Sequence, residues 1–280
     1  MDKLIDAAQE FLWRAWTTVG VRGTLAPIED VVIDPEGLIA CTGLAATDAR
    51  LEAEAADWCA RYFDFVSVTR LKNLANELPE EDRSRLYAFT ASVNAVSSAR
   101  WPGDGQPAKQ LKLSGKSKLA PLSEGALAQL RYRAIFGTTA RTEALLFLGR
   151  AQGWSSAGDV ARATRHKKRI VAKALDELVV GGIVKTEARG NRKDFRLSEK
   201  KKLEAFAGPV ASKEFQWVGW ARVLSAYLRV KGKKPTVQRI ELARAIAESG
   251  LDALPNPTIE SIATAFDGAA GRQHAVKERR

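Results

Sequence analysis

Cysteine, histidine and long apolar runs are scarce in this chain. Its 280 residues include two cysteines and two histidines, so neither a disulfide framework nor a clustered zinc site is expected. The opening MDKLIDAAQEF has no basic segment followed by a long apolar stretch, and we expect neither a signal peptide nor a membrane anchor. Cys41 and Cys59 lie among helix-forming residues, and buried thiols fit a reducing compartment. These absences favour a cytoplasmic protein without cofactor or metal.

Familiar catalytic patterns are also missing. The sequence contains no GxSxG elbow and no Cys/His pair at a suggestive spacing. The nearest carboxylate cluster is EDVVID at 29–34, where a strand would place Asp30 and Asp34 on one face. The simpler interpretation is an acidic loop whose Asp34 caps a helix that starts at Pro35. We therefore expect no enzymatic activity.

The segment LSGKS, residues 113–117, resembles the end of a phosphate-binding loop. That motif requires a glycine five residues before Gly115, where this chain has Gln110. The residues before the segment also lack the pattern of a hydrophobic strand. We expect no nucleotide site here.

Positive charge is abundant and concentrated. The formal net charge is +11, yet residues 1–100 hold 10 basic and 16 acidic residues, whereas residues 162–202 hold 14 basic and 5 acidic residues. Such a basic block attracts polyanions, of which nucleic acids and anionic membrane surfaces are the common ones. A solvated lysine-rich surface is the alternative.

Composition and helix signals divide the chain into five segments. Apolar residues recur at helical spacing near the start, and proline, glycine, serine and lysine accumulate after residue 100. A second set of helical patterns follows residue 200, where the aromatics of 215–228 indicate a core or a dimer interface. We expect an acidic helical N-terminal domain (1–100), a linker (101–125), a compact unit (126–200), a helical C-terminal domain (201–270) and a frayed tail (271–280).

The stretch SVTRLKNLANEL, residues 67–78, is typical of an amphipathic helix. Ser67 is a candidate N-cap. The spacing predicts that Val68, Leu71, Leu74 and Leu78 share the buried face and that Thr69, Arg70, Lys72 and Asn73 are exposed. Those exposed side chains are either solvated surface or phosphate contacts.

The sequence of the compact unit predicts three helices and a hairpin. TARTEALLFLGR predicts the first helix, and Ser156 with Asp159 approximates a capping box at the start of the second. A tight turn at 164–166 precedes a third helix over 167–180, whose buried stripe is Val171, Leu175 and Leu178. Two glycines end this helix, and IVKTE, ARGNRK and DFRLS predict a strand, a turn and a returning strand.

This order resembles the winged helix-turn-helix of bacterial transcription regulators, over about residues 138–198. The resemblance is carried by DVARATRHKKRIVAKALDELVVGGIVK. It implies that the third helix enters the major groove and that the hairpin, the wing, lies along the DNA backbone or in the minor groove. The turn departs from the family pattern, because Arg165 and His166 stand where many members have glycine and a small apolar residue. The implied DNA-binding residues are Arg165, His166, Lys167, Lys168, Arg169 and Lys173 at the turn and third helix, and Arg189, Asn191, Arg192 and Lys193 at the wing tip.

The expected fold class is mostly helical, with a central winged helix-turn-helix between N- and C-terminal helical domains. The expected function is sequence-specific binding of double-stranded DNA by a transcriptional regulator, a repressor acting as a homodimer. Arg169 is the best candidate for base reading, because arginine can form a forked contact with guanine. Two alternatives stay open. One is a non-catalytic nucleic-acid-binding subunit whose acidic N-terminal domain contacts a protein partner, and the other is an autoregulating antitoxin.

Overall fold

The computed structural model describes residues 3–103, 111–213, 215–249, 251 and 259–269. Within these ranges the fold is mostly helical, with one small antiparallel sheet. The helices are α1 (Lys3–Val19), α2 (Pro35–Ala45), α3 (Ala49–Tyr62), α4 (Val68–Asn76), α5 (Glu80–Val96), α6 (Ala128–Phe136), α7 (Ala140–Arg150), α8 (Ala157–Thr164), α9 (Lys168–Val180), α10 (Lys200–Ala207), α11 (Trp217–Val230), α12 (Pro235–Glu248) and α13 (Ile259–Ala269). The strands are β1 (Ser155–Ser156), β2 (Val184–Arg189) and β3 (Arg192–Leu197).

Helices from the two ends of the chain share one hydrophobic core, which we call the helical body. The ring of Phe11 on α1 lies 4.6 Å from that of Phe215 and 5.3 Å from that of Phe266. The two regions, which were expected to form separate N- and C-terminal domains, contribute apolar side chains to the same core. Phe215, Trp217, Trp220 and Tyr227 are all buried in this core, so they give no support to a homodimer interface.

A buried ion pair reinforces the helical body. Asp82 on α5 accepts hydrogen bonds from Arg229 Nη1 at 2.7 and 2.8 Å, and also from the Ser225 hydroxyl, both on α11. A carboxylate with several hydrogen-bond donors can be buried at a tolerable cost in free energy. These bonds fix Asp82 to Ser225 and Arg229, which lie 143 and 147 positions later in the sequence.

The central unit, α6 to α10 with the sheet, has its own core. β3 pairs with β1 on one side and with β2 on the other, both antiparallel. The chain reverses between β2 and β3 at Gly190, which has a φ of +60°, a backbone conformation that favours glycine. Val184, Phe195 and Leu197 of the sheet pack with Val171, Leu175 and Leu178 of α9.

The chain enters and leaves the central unit at adjacent points. Ala211 N–H donates to Gly125 O at 3.0 Å, so the two ends contact each other. Both also contact an extended segment at 30–33, because Ile33 N–H donates to Ala126 O and Lys213 N–H donates to Asp30 O, each at 2.9 Å. The central unit is therefore an insertion in the helical body, fastened at its base.

Most local helix signals in the sequence are confirmed. Asp34 caps α2 through hydrogen bonds from Glu36 N–H and Gly37 N–H, with Pro35 in the first turn. Ser67 caps α4, and the capping box of Ser156 and Asp159 starts α8. Both cysteines are buried free thiols. The expected tail at 271–280 lies outside the described residues.

Candidate nucleic-acid interface

The turn between α8 and α9 brings the basic run to the surface. α8 ends at Thr164, and Arg165 follows with a φ of +56°, an unusual conformation for a residue other than glycine. Lys167 then occupies the N-cap position of α9, and its carbonyl accepts hydrogen bonds from the N–H groups of Ile170 and Val171. This sharp reversal places four exposed residues, 167–170, at the N-terminal end of α9.

The N-terminal end of α9 is positive and uncompensated. Lys167, Lys168 and Arg169 are exposed, and none of them forms an ion pair within the described ranges. On the opposite side, Val171 and Leu175 are fully buried, as the sequence predicted. The unpaired N–H groups of a first helical turn also carry partial positive charge, so this end of α9 favours an anion.

Acidic side chains compensate the rest of the exposed face of α9. Lys173 Nζ lies 3.9 Å from Glu177 Oε1. The same glutamate is 3.6 Å from Arg141 on α7, and Asp176 is 3.6 Å from Lys193 on the hairpin. The positive surface of α9 is therefore confined to its first turn and does not extend to Lys173.

The tip of the hairpin is also largely neutralised. Arg189 Nε lies 2.6 Å from Glu187 Oε1, and Arg192 Nε lies 3.1 Å from Asp194 Oδ1. Asn191 is exposed at the turn. The Arg189–Glu187 pair is exposed, and such pairs contribute only about 0–1 kcal/mol, so a phosphate can replace Glu187. Asp194 is buried, so the tip offers less free charge than its composition suggests.

The side chains of the turn face the helical body. The Arg165 guanidinium forms an ion pair with Glu77, which directly follows α4. The Asn73 side chain on α4 donates a hydrogen bond to Arg165 O at 2.6 Å. His166 Nε2 is buried and makes no hydrogen bond with the described residues. Burial lowers the pKa of His166, and the nearby guanidiniums of Arg70 and Arg133 lower it further, against an opposing effect of Glu143.

A buried network of ion pairs lies behind the turn. Arg133 on α6 binds both oxygens of Glu36 on α2, at 2.7 and 2.9 Å, and its Nε binds Glu143 on α7 at 2.8 Å. Arg70 on α4 binds Glu36 and Asp34. Sequence reasoning missed this network, because its bonded partners are up to 97 positions apart and no local pattern connects them.

The structure corrects the predicted faces of α4. Val68 was expected in the core and is 44% exposed, whereas Arg70 was expected at the surface and is 3% exposed. Arg70 is accommodated because its guanidinium binds carboxylates while its Nε donates to Thr164 O at 3.0 Å. Arg70 is therefore no candidate for a phosphate contact. It holds the end of α8, and with it the turn, against the helical body.

Electrostatics act in opposite directions on two carboxyl groups of this network. Burial by itself would raise the pKa of Asp34, but the guanidiniums of Arg70 and Arg133 outweigh it and hold the pKa well below its usual value. Burial raises the pKa of Glu36 despite the same two cations. The network thus contains one firmly ionised carboxylate, Asp34, at the N-terminus of α2, where negative charge is favoured.

The LSGKS segment binds an internal anion. Gly115 N–H and Ser117 N–H donate to the two oxygens of Asp57 on α3, at 2.8 and 3.0 Å. In a phosphate-binding loop, backbone N–H groups of this kind hold the phosphate. The amides of this segment are already occupied by a carboxylate of the same chain.

No protein-family model, no curated protein and no solved structure matches the chain. The helices of the described ranges include none that is long and apolar enough to cross a bilayer. No group of three or more potential metal ligands converges within those ranges either. Any assignment of function therefore depends on the residues and contacts of the molecule itself.

Proposed function

We propose that this chain is a transcriptional regulator, a repressor, whose central unit is a winged helix-turn-helix that binds double-stranded DNA. In this proposal α8 and α9 form the helix-turn-helix, β2 and β3 form the wing, and α9 enters the major groove. A helix fits that groove, which is about 12 Å wide.

The observation that carries the proposal is the free positive charge at one end of α9. Three of the predicted DNA-binding residues are exposed and form no ion pair with the described residues: Lys167, the N-cap of α9, and Lys168 and Arg169 in its first turn. They stand where the N-terminal end of a groove-reading helix comes nearest to the bases. Arg169 is assigned to base reading, and the two lysines are assigned to phosphates.

Rigid support of the turn also favours this function. Arg70 and Asn73 hold the turn from the helical body, through hydrogen bonds to Thr164 O and Arg165 O. Phosphate and base contacts need a fixed register on the duplex, and a turn held by two hydrogen bonds from α4 supplies one.

A triple variant, K167A/K168A/R169A, tests the proposal. We expect a folded protein with weaker affinity for duplex DNA. The slope of log K against log salt should fall by about 2 to 3, because each phosphate contact releases roughly 0.9 counterion. The matched control is K233A/K234A/R239A, which removes three exposed charges from the α12 region and should leave affinity and slope close to wild type. Equal losses in both variants would mean that only net charge matters.

The neutralised hairpin tip favours one second candidate, a non-catalytic subunit that grips nucleic acid without sequence preference. Few free donors beyond Arg169 remain for base reading. Competition between the promoter of the protein's own operon and random DNA separates the two functions. A regulator should prefer its operator by roughly 10³ or more, and an accessory subunit should show no such preference.

A further inference from the structure

The outward face of the sheet carries a row of one aromatic and two cationic side chains. Arg196 on β3 stands directly opposite Lys185 on β2 in the register of the sheet. On the other side of Arg196, Trp154 immediately precedes β1, and the Arg196 guanidinium lies 4.8 Å from the Trp154 ring centroid. Arg196 and Lys185 are both exposed. We call these three residues the sheet row.

The sheet row has no acidic partner among the described residues. Neither Lys185 nor Arg196 forms an ion pair with a carboxylate in the part of the chain that the structure describes. Like charges directly opposite each other destabilise a strand pair. Two residues toward the tip, Glu187 and Asp194 oppose each other and neutralise Arg189 and Arg192. Positive charge is thus balanced at the tip of the hairpin and unbalanced at its base.

Further positive charge follows the sheet row along the chain. α10 begins with three consecutive lysines, 200–202, of which Lys201 and Lys202 are exposed. None of the three forms an ion pair among the described residues. The basic block of 162–202 therefore resolves into two uncompensated patches, one at the start of α9 and one at the base of the sheet.

From this arrangement we propose that the sheet row is a second binding surface for the phosphate backbone of duplex DNA. This proposal takes duplex DNA as its partner from the proposed function. A protein bound to one duplex segment through α9 is close to further segments of the same DNA. A lysine supplies a point charge, and a guanidinium is a planar group whose N–H donors suit phosphate oxygens. The Arg196 guanidinium also lies within cation–π distance of the Trp154 ring. These residues position DNA and read no sequence.

The two patches serve different duplex segments. Side chains of a strand alternate between faces, and on β2 and β3 the residues Val184, Phe195 and Leu197 pack toward α9. Lys185 and Arg196 consequently point away from α9. The two patches therefore face different directions, and we expect one chain to hold two duplex segments at once.

Binding stoichiometry tests this proposal. Duplexes of about 12 base pairs, titrated at low salt where phosphate contacts are strong, should load two per chain in sedimentation velocity or native mass spectrometry. The variant K185A/R196A should load one, and the charge-preserving K185R/R196K should load two. Unchanged thermal unfolding of both variants shows that the sheet is intact.

Each outcome separates this proposal from the proposed function. If the wild type saturates at one duplex per chain and only K167A/K168A/R169A loses that duplex, the second surface is overturned and the proposed regulator function is kept. Two duplexes whose binding is insensitive to K185A/R196A also overturn it. If the wild type binds one duplex and K185A/R196A loses it while K167A/K168A/R169A keeps it, the sheet row is supported and the assignment of α9 to the major groove is contradicted. Tighter binding of a single strand than of a duplex to the sheet row overturns the choice of partner.

Discussion

Arg165 and Glu77 form an ion pair between the turn that precedes α9 and the residue that directly follows α4. The Arg165 side chain is 22% exposed and that of Glu77 is 46% exposed. The backbone of Arg165 is in the left-handed region, and its carbonyl oxygen is held by Asn73. A basic residue that the resemblance to winged helix-turn-helix regulators assigns to DNA is thereby engaged by the helical body in the free protein.

Glu77→Gln should strengthen DNA binding, because it releases the Arg165 guanidinium and removes a negative charge beside α9. An exposed ion pair is worth up to about 1 kcal/mol, so we expect a gain of up to several-fold. The salt slope should steepen by about 1 as one more phosphate contact forms. Fluorescence anisotropy across a salt series measures both quantities.

The double variant E77Q/R165A identifies the cause of that gain. If Arg165 moves to phosphate, the gain disappears in the double variant. A gain that persists without Arg165 would show that Glu77 acts only by repelling DNA. An unchanged affinity in E77Q would contradict both explanations.

Arg70→Ala should destabilise the protein strongly. The change leaves Asp34 and Glu36 with fewer cationic partners in a buried site and removes a donor to Thr164 O. Loss of one partner of a buried ion pair costs about 3–5 kcal/mol. Urea unfolding followed by circular dichroism measures the free energy of unfolding.

Arg85→Ala is the matched control for Arg70→Ala. Arg85 pairs with Glu81 across one turn of α5, at 2.9 Å, and both side chains are largely exposed. Such a pair contributes about 0.3–0.5 kcal/mol. If both substitutions change stability equally, the buried network has no special role in the fold.

Asp57 should make stability depend on pH. Burial alone would raise the pKa of Asp57, but hydrogen bonds from Gly115 N–H and Ser117 N–H outweigh it, and the pKa lies below its ordinary value. A carboxyl group whose pKa is lower in the folded protein than in the unfolded chain makes its full contribution to the free energy of unfolding above its unfolded pKa, about 3.9. That stabilisation is lost as the pH falls through the folded pKa.

Asp57→Asn removes this contribution. At pH 7 we expect a loss of about 1–3 kcal/mol, because an amide cannot accept both backbone N–H bonds. The difference between wild type and variant should shrink toward pH 3, and urea midpoints at the two pH values test this. Asp64→Asn, at an exposed position, is the control. A difference that does not vary with pH would mean that the charge of Asp57 is unimportant.

Local signals in the sequence predicted the central unit well. The capping box of Ser156 and Asp159 and the buried stripe of Val171, Leu175 and Leu178 were read correctly. Both depend on residues within two helical turns of one another. Helix and strand positions could be predicted because they depend on such short-range patterns.

Long-range electrostatics could not be predicted from the sequence. Arg70 was placed at the surface because apolar periodicity ranks an arginine as exposed, and its carboxylate partners lie 34 to 36 positions earlier in the chain. The composition of the hairpin likewise did not show that Glu187 and Asp194 neutralise Arg189 and Arg192. Charge counted along a sequence differs from free charge at a surface, and the predicted roles of Arg189, Arg192 and Lys193 stay predictions.

The insertion of the central unit has a consequence for the order of folding. α1 is completed by Phe215 and Phe266, more than 200 residues later in the chain. During synthesis, residues 126–210 can close their own core while α1 still lacks its contacts with Phe215 and Phe266. The side of α1 that these rings cover is the surface at which chaperones or aggregation would act first. A chain that stops at residue 214 should accordingly bind a hydrophobic dye, while its central unit stays folded.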